Sequence, residues 1–360
     1  MRYGRLITGM MLAFSVMPVS ARDKDFKVSE EQQRVMTAEA DDFIDAMPEG
    51  LQDRQRIAVE HAIRGDLSSL REIRRQRNVA ADLPENVETK DIVAASGAAS
   101  GIPMRLYRPV SPAHGKLPLL VYYHGGGWTF GSINSCSRFC AEVAATGEAL
   151  VLAVDYALAP ENSFPAGLLD CVAAAEYASE HASEWGSDPS LVSLGGDSSG
   201  GNLALAAAMM LAHDREEGKG AEIRSLVLFY PVVSNTVSRE GSSRKYGKGY
   251  GLDSNLMESF IEAYSDEPVK TLDGGKGFDG LMEPLEADEE VWRKLPPMLV
   301  VQAGRDILFD QGREYVEGSR KMGLDVERVE FSGAVHLFIT VEGQPTAFRK
   351  AVDMTAAFLK

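Results

Sequence analysis

The pattern of apolar and polar residues divides the chain into an N-terminal helical segment and a longer segment in which strands and helices alternate. From about residue 27 to 78, apolar side chains recur every three or four positions among charged ones, which predicts helices. From about residue 87, continuous apolar runs such as LPLLVYYH, ALVLAVDYAL and IRSLVLFYP are separated by helical stretches. This alternation predicts a mostly parallel sheet with helices on both faces.

An interruption of the alternation lies between about residues 232 and 290. A polar stretch, VSNTVSREGSSRKYGKGYG, is followed by one predicted helix, SNLMESFIEAY, and by an acidic region. Ligands of open α/β sheets bind beyond the carboxyl ends of the strands. We therefore expect this insertion to lie above those ends and to form a cap together with the N-terminal helices.

Composition and charge narrow the class of protein and its partners. Of the 360 residues, 44% are hydrophobic and 25% are charged, which is typical of a soluble globular protein. The net charge is −16, and a surface this acidic repels the phosphates of nucleic acids and anionic lipid headgroups. We therefore expect no nucleic acid partner.

The first 21 residues are predicted to be an export signal. Arg2 and Arg5 give a positive start, and the apolar stretch from Leu6 to Val19 is short for a membrane span. Small residues follow where a signal peptidase would cut. A membrane-anchoring helix is the alternative. The mature chain is expected in the periplasm or the medium, without stable insertion into a membrane.

Three cysteines, Cys136, Cys140 and Cys171, leave at least one thiol without a disulfide partner. Cys136 and Cys140 are four residues apart on a predicted helix, a spacing that gives poor disulfide geometry. We expect three small buried side chains. No CxxC pair occurs and the histidines are scattered, so no metal site is predicted.

A glycine-rich stretch, VSLGGDSSGGNLALAAAMML at residues 192–211, lies between a predicted strand and a predicted helix. These flanking elements argue against a flexible linker. The stretch lacks the lysine of a phosphate-binding loop and the glycine spacing of a dinucleotide fingerprint. The remaining interpretation is a nucleophile elbow, G-x-S-x-G, with Ser198 as the nucleophile.

A reactive serine needs a base, an orienting acid and hydrogen-bond donors for the oxyanion. Among the six histidines, His336 follows both the predicted acid and the final predicted strand, so we predict it to be the base. Asp306, just after a strand, is the predicted acid. Asp310 is its rival, but it falls at a helix start, where aspartate is commonly a cap.

An oxyanion hole is predicted at His124-Gly125-Gly126-Gly127, directly after an apolar strand. Consecutive glycines leave backbone N–H groups free to face a substrate oxygen. We predict that Gly125 and Gly126 donate these hydrogen bonds, with the N–H of Ser199 as a third donor. His124 is predicted to orient the loop.

Taken together, these motifs resemble the hormone-sensitive-lipase family of α/β-hydrolases, in its bacterial acetyl-esterase-like branch. The resemblance rests on HGGGWTFGS, VDYALAPENSFPA, GGDSSGGNLA, GRDILFDQG and GAVHLF, in the family's order. Two positions depart from the family pattern: Ser199 stands where alanine is common, and Ala157 where arginine is usual. The resemblance implies an α/β-hydrolase fold over residues 85–360, with residues 22–84 as N-terminal cap helices and a cap insertion at about 232–290.

The resemblance also implies an activity, the hydrolysis of carboxylic esters with short acyl chains by a Ser-His-Asp triad through an acyl-enzyme. No metal or organic cofactor is implied, and the partner is a small-molecule ester. Trp128 and Phe130 are candidates to line the substrate pocket, with core or surface packing as the alternative. An amidase or peptidase on the same fold and a receptor without catalysis are the rival functions. The oligomeric state is left open, with a homodimer among the options.

Overall fold

The computed structural model describes residues 26–94, 101–113, 115–216, 218–265 and 280–360. The predicted export signal, most of the turn expected between the first two strands, and part of the acidic region of the insertion lie outside the described residues. The described part of the chain contains one eight-stranded sheet with helices packed on it.

The sheet follows the order β1-β2-β4-β3-β5-β6-β7-β8. Its strands β1 to β8 are, in turn, Val87–Ala94, Ile102–Pro109, Leu117–Tyr123, Leu150–Val154, Ser187–Asp197, Leu226–Phe229, Met298–Arg305 and Val326–Val335. β1 and β2 pair antiparallel, as do β2 and β4, and every other neighbouring pair is parallel. The carboxyl ends of β5, β7 and β8 therefore point the same way.

Eleven α-helices occur in the described residues. In chain order α1 to α11 are Glu30–Asp45, Leu51–Ile63, Ser68–Arg77, Ser137–Ala145, Ala166–His181, Ser199–Glu216, Gly241–Tyr246, Ser254–Tyr264, Glu289–Trp292, Phe309–Lys321 and Pro345–Leu359. Two short 3₁₀ turns add Ala182–Trp185 and Pro284–Glu286.

Both faces of the sheet are buried. This explains why the sequence of strand β3 does not alternate between apolar and polar residues. Successive side chains of a strand point to opposite faces. Val121 and Tyr123 belong to an apolar core that includes residues of α5 and α6, whereas Leu120 and Tyr122 belong to a second core with α4 and α11. Each residue of β3 is buried. The predicted α/β architecture, with helices on both faces of a mostly parallel sheet, is confirmed.

The helices before β1 and those between β6 and β7 meet each other. Helix α2 packs against α8. The N–H of Asp253, the residue before α8, donates to Gln52 Oε1 at 2.8 Å, and both residues are buried. These two segments are the ones expected to form the cap, and together they cover one end of the sheet near β5 and β8.

The edge strand β8 is covered by α1. Gln33 on α1 donates from Nε2 to the carbonyl of Glu330 at 2.8 Å, and its Oε1 accepts from the N–H of Gly333 at 3.4 Å. A Cβ at position 333 would approach Thr37 Oγ1 to 2.3 Å, so glycine permits this close contact. The side-chain amide of Gln33 thus forms hydrogen bonds with two backbone groups of β8 that face away from β7.

The three cysteines are free and buried. Cys136 lies just before α4, Cys140 within it and Cys171 within α5. Their location agrees with the prediction of small buried side chains.

Candidate active site

Ser198 occupies a sharp turn between β5 and α6, as the G-x-S-x-G motif predicts. Its φ is 56°, in the left-handed region that a non-glycine residue seldom adopts. The N–H of Ser198 donates to the carbonyl of Phe229 at 2.9 Å. A Cβ at Gly200 would lie 2.0 Å from the carbonyl oxygen of Tyr123, so only glycine allows the turn to pack this closely. The elbow is therefore a tight, fixed turn.

The structure brings together the three residues predicted to form the triad. His336 follows β8 directly, and its Nε2 lies 3.0 Å from Ser198 Oγ. Its Nδ1 lies 2.6 Å from Asp306 Oδ2, and Asp306 follows β7 directly. The exposed fractions of Ser198, Asp306 and His336 are 6%, 1% and 1%. The three side chains form one continuous, buried hydrogen-bonded chain.

Neighbouring residues fix the acid and the base of this triad. The second oxygen of Asp306, Oδ1, accepts from the N–H of Leu308 at 3.1 Å. Gln344 donates from Nε2 to the carbonyl of His336 at 3.3 Å, and the ring of Tyr230 packs 4.4 Å from the imidazole. The carboxylate and the imidazole are thus held in one orientation.

Asp310, the rival acid, lies elsewhere. Its Oδ2 accepts from the N–H of Ser242 in α7 at 2.7 Å, and its Oδ1 pairs with Arg313 at 3.1 Å. Asp310 therefore links α10 to the inserted segment, and only Asp306 of the two bonds to His336.

The glycine loop corrects one predicted oxyanion donor. The N–H of Gly125 donates to Asp197 Oδ1 at 3.0 Å, so it is already engaged and does not face a substrate. Within the described residues the N–H groups of Gly126 and Gly127 have no acceptor, and both glycines line the cavity that contains Ser198. The N–H of Ser199, at the first position of α6, has no acceptor within its helix.

The available donors are therefore Gly126, Gly127 and Ser199, and the prediction of Gly125 is wrong. Gly127 was missed because a run of three glycines does not reveal which amide a neighbouring carboxylate occupies. Its φ of 61° is a further reason for glycine at this position.

Asp197, beside the nucleophile, holds the elbow to two other loops. Its Oδ1 accepts from Tyr122 Oη at 2.9 Å and from the Gly125 amide, and its Oδ2 accepts from Thr340 Oγ1 at 3.2 Å. Burial raises the pKa of the Asp197 carboxyl. Through these hydrogen bonds Asp197 braces the turn that holds Ser198.

His124 contacts the glycine loop and helps to hold it in place. Its ring is stacked on Tyr156 with centroids 4.4 Å apart, and Nδ1 lies 2.9 Å from the carbonyl of Gly125. Tyr156 Oη donates to the carbonyl of His124 at 2.6 Å. Burial lowers the pKa of His124, so the ring is favoured in its neutral form. Its contacts agree with the predicted orienting role.

A cavity of about 680 Å³ opens above Ser198. Its apolar wall comes from the N-terminal helical segment and from α8 with the residues just before it, and it includes Met47, Leu51, Ile73, Leu252, Leu256, Met257 and Phe260. Phe130 lines it, as predicted. Trp128 does not: its ring stacks on Tyr264 at 4.3 Å with an interplanar angle of 1°, behind the glycine loop. The prediction of Trp128 as a pocket residue is therefore wrong, and its alternative, core packing, holds.

Two further features concern only the part of the chain that the structure describes. There, no group of three or more His, Cys, Asp and Glu side chains is arranged to hold a metal ion. None of the helices in that part combines the length and the apolar character needed to cross a bilayer.

Comparison with known proteins defines the class. A family model described as the alpha/beta hydrolase fold matches residues 120–340. The chain belongs to this family, and within it to the carboxylesterases of the hormone-sensitive-lipase type, as the sequence motifs predict.

Individual relatives agree with this class. Carboxylic ester hydrolase LipN of Mycobacterium tuberculosis is 36% identical over 259 residues, which are 71% of this chain and 65% of that protein. The match thus spans less than two thirds of LipN. Ethyl acetate hydrolase of Pseudomonas putida is 33% identical over 72% of this chain and 77% of its own length. The solved structure of an esterase from Pyrobaculum calidifontis is 32% identical, with a TM-score of 0.69, and covers 81% of this chain and 92% of that one.

Proposed function

We propose that this chain hydrolyses carboxylic esters of short acyl chains through Ser198, His336 and Asp306. The observation that carries the proposal is the buried hydrogen-bonded chain from Asp306 Oδ2 through His336 to Ser198 Oγ. Such a chain activates a serine hydroxyl because the imidazole accepts the proton that the hydroxyl loses.

In the first half of the reaction, Ser198 Oγ attacks the ester carbonyl while His336 Nε2 takes its proton. The negative oxygen of the tetrahedral intermediate accepts hydrogen bonds from the N–H groups of Gly126, Gly127 and Ser199. The C–O bond to the alcohol then breaks, and the alcohol leaves with the proton from His336. The acyl group remains on Ser198.

In the second half, a water molecule replaces the alcohol. His336 takes a proton from this water, whose oxygen attacks the acyl carbonyl and forms a second tetrahedral intermediate. Its collapse breaks the bond to Ser198 Oγ, which recovers a proton from His336, and the carboxylic acid departs. Asp306 keeps Nδ1 protonated and stabilises the imidazolium in both halves.

Short acyl chains are supported by one relative, a protein at 33% identity that is named ethyl acetate hydrolase. A series of 4-nitrophenyl esters from acetate to decanoate tests this part of the proposal. We expect kcat/KM to fall beyond about six carbons, and a maximum at decanoate would contradict it.

The decisive experiment on the mechanism is Ser198→Ala. We expect kcat for 4-nitrophenyl acetate to fall by roughly 10⁴-fold or more, because the nucleophile is lost. Ser111→Ala, an exposed serine in the loop after β2, is the matched control and should keep full activity. A fluorophosphonate probe should label the unaltered protein and Ser111→Ala, with the added mass on Ser198. Retained turnover in Ser198→Ala would show that another residue is the nucleophile.

Export is proposed as well, on the basis of the positive and apolar character of residues 1–21. Expression of the full chain in a Gram-negative host, followed by fractionation and N-terminal sequencing, tests it. We expect a periplasmic or secreted product that begins at Arg22. An intact N-terminus in the cytoplasmic fraction would contradict export.

A further inference from the structure

The cavity above Ser198 carries positive charge on the side formed by the N-terminal helices. Arg54 on α2 and Arg77, the last residue of α3, line it. Among the described lining residues the one acidic side chain is Glu342, which lies 3.5 Å from Arg138. The chain as a whole has a net charge of −16, so the charge of this cavity opposes that of the molecule.

Arg77 differs from the other arginines of α3 in its contacts. Arg74 donates to Glu161 at 2.9 Å and to the carbonyl of Thr129 at 2.7 Å. Arg75 pairs with Glu72. Within the described residues Arg77 has no carboxylate or carbonyl partner, and its guanidinium carbon lies 5.5 Å from the centroid of the Phe130 ring. Its five N–H donors, on a group that stays charged, remain available to a ligand.

Phe130 connects Arg77 with the reacting centre. The N–H of Phe130 donates to the carbonyl of Gly126 at 2.8 Å, and its ring contacts Phe260 edge-on at 5.7 Å. The guanidinium is thus held over a ring that is fixed by the oxyanion loop and by α8. Arg77, Phe130 and Ser198 line the same cavity.

We propose that the esters hydrolysed by this chain carry a carboxylate, and that Arg77 binds it at the α3 side of the cavity. This inference rests on the proposed serine-esterase function and names its substrate class. A planar guanidinium donates two parallel N–H···O bonds to a carboxylate, a match that few other groups offer. The apolar wall then accommodates the part of the ester between the carboxylate and the reacting carbonyl. The carboxylate belongs either to the acyl part or to the alcohol part of the ester.

Two pairs of esters test this proposal and separate the two positions. Mono-4-nitrophenyl glutarate is compared with 4-nitrophenyl hexanoate, and 4-acetoxybenzoate with 4-acetoxybenzamide. Each pair is assayed with the unaltered protein, Arg77→Gln, Arg77→Lys and Arg75→Gln. The measured quantity is the ratio of kcat/KM for the charged ester to that for the neutral one.

We expect Arg77→Gln to lower this ratio about 10-fold in one of the two pairs. This effect is smaller than that of a buried charged hydrogen bond because Arg77 is exposed to solvent. Arg77→Lys should restore part of the ratio, and Arg75→Gln should leave it unchanged. Raising the salt concentration should lower the ratio of the unaltered protein and have less effect on that of Arg77→Gln.

Equal effects of Arg77→Gln on the charged and neutral esters of both pairs would overturn the proposal, because an arginine that only covers Phe130 would affect both alike. The absence of turnover of all four esters by the unaltered protein would overturn the serine-esterase function itself. The two failures are therefore distinguishable.

Discussion

Two aspartates four residues apart, Asp306 beside His336 and Asp310 beside the inserted helix α7, are held in different ways. Beyond the carboxyl end of β7, Asp306 is 1% exposed, and its two oxygens accept hydrogen bonds from His336 and from the N–H of Leu308. Four residues later, the side chain of Asp310 is 40% exposed, and it joins Arg313 on its own helix to the backbone of α7. The same residue type is thus buried beside the triad and partly exposed beside α7, where one of its two partners, Arg313, is also exposed.

This difference in burial indicates which of the two aspartates fixes the position of its partner. Hydrogen bonds between buried groups fix positions closely, because breaking one leaves an unpaired polar atom away from water. Exposed ion pairs contribute little and tolerate rearrangement. We infer that Asp306 determines the geometry of the chemistry, whereas Asp310 joins α10 to α7 without setting that geometry.

The sharpest test of this comparison is the pair Asp306→Asn and Asp310→Asn. Asp306→Asn should lower kcat by roughly 10⁴-fold, because an amide in that place no longer holds the required imidazole tautomer. Asp310→Asn should change kcat less than about threefold, since its side-chain oxygen can still accept from Ser242. Both are measured with 4-nitrophenyl acetate on folded protein. Similar losses in the two variants would mean that the inserted segment also determines the catalytic geometry.

A smaller effect is expected for Gly125→Ala, with Gly115→Ala as its control. A Cβ at Gly125 would lie 2.3 Å from Asp197 Oδ2, whereas a Cβ at Gly115 meets nothing within 4 Å. We expect Gly125→Ala to lower the free energy of unfolding by about 2–4 kcal/mol and to impair esterase activity. Gly115→Ala should stay within about 0.5 kcal/mol. Chemical denaturation measures both, and a stable, active Gly125→Ala would show that Asp197 can move away from the loop.

The smallest effect concerns the pH dependence of stability. Burial raises the pKa of Asp197 in the folded chain, so ionisation of this carboxyl is harder there than in the unfolded chain. The stability associated with its protonated form is therefore lost as the pH rises through the folded-state pKa. Asparagine does not titrate, and Asp197→Asn should gain stability relative to the unaltered protein as the pH rises.

Denaturation of both proteins at several pH values from about 4 to 7 measures this difference. A difference that is independent of pH, or that falls as the pH rises, would show that hydrogen bonds to Asp197 outweigh its burial.

The parts of the molecule that local sequence determines were predictable. Continuous apolar runs predicted the buried strands, and the positions of Asp306 and His336 just after strands placed both at one edge of a parallel sheet. Ser198 followed from glycine spacing, since a tight turn requires it. These inferences depend on short stretches of chain and on the rule that parallel strands end at the same edge.

The residues that were predicted wrongly depend on contacts between distant parts of the chain. Gly125 is excluded as an oxyanion donor by Asp197, which lies 72 positions away. Trp128 is turned from the cavity by its stacking on Tyr264 in α8. Arg77 was not singled out, because an arginine at a helix end is ordinary until its neighbours are known. No local pattern encodes which partner a side chain finds.

The contact of Gln33 with β8 has a consequence for the behaviour of the chain at high concentration. An open strand edge can pair with the same edge of another molecule and begin aggregation. Here one side chain of α1 occupies the N–H of Gly333 and the carbonyl of Glu330, two groups that a second molecule would need. By covering this edge, α1 protects the protein from self-association through β8. This role is separate from the contribution of the N-terminal helices to the substrate cavity.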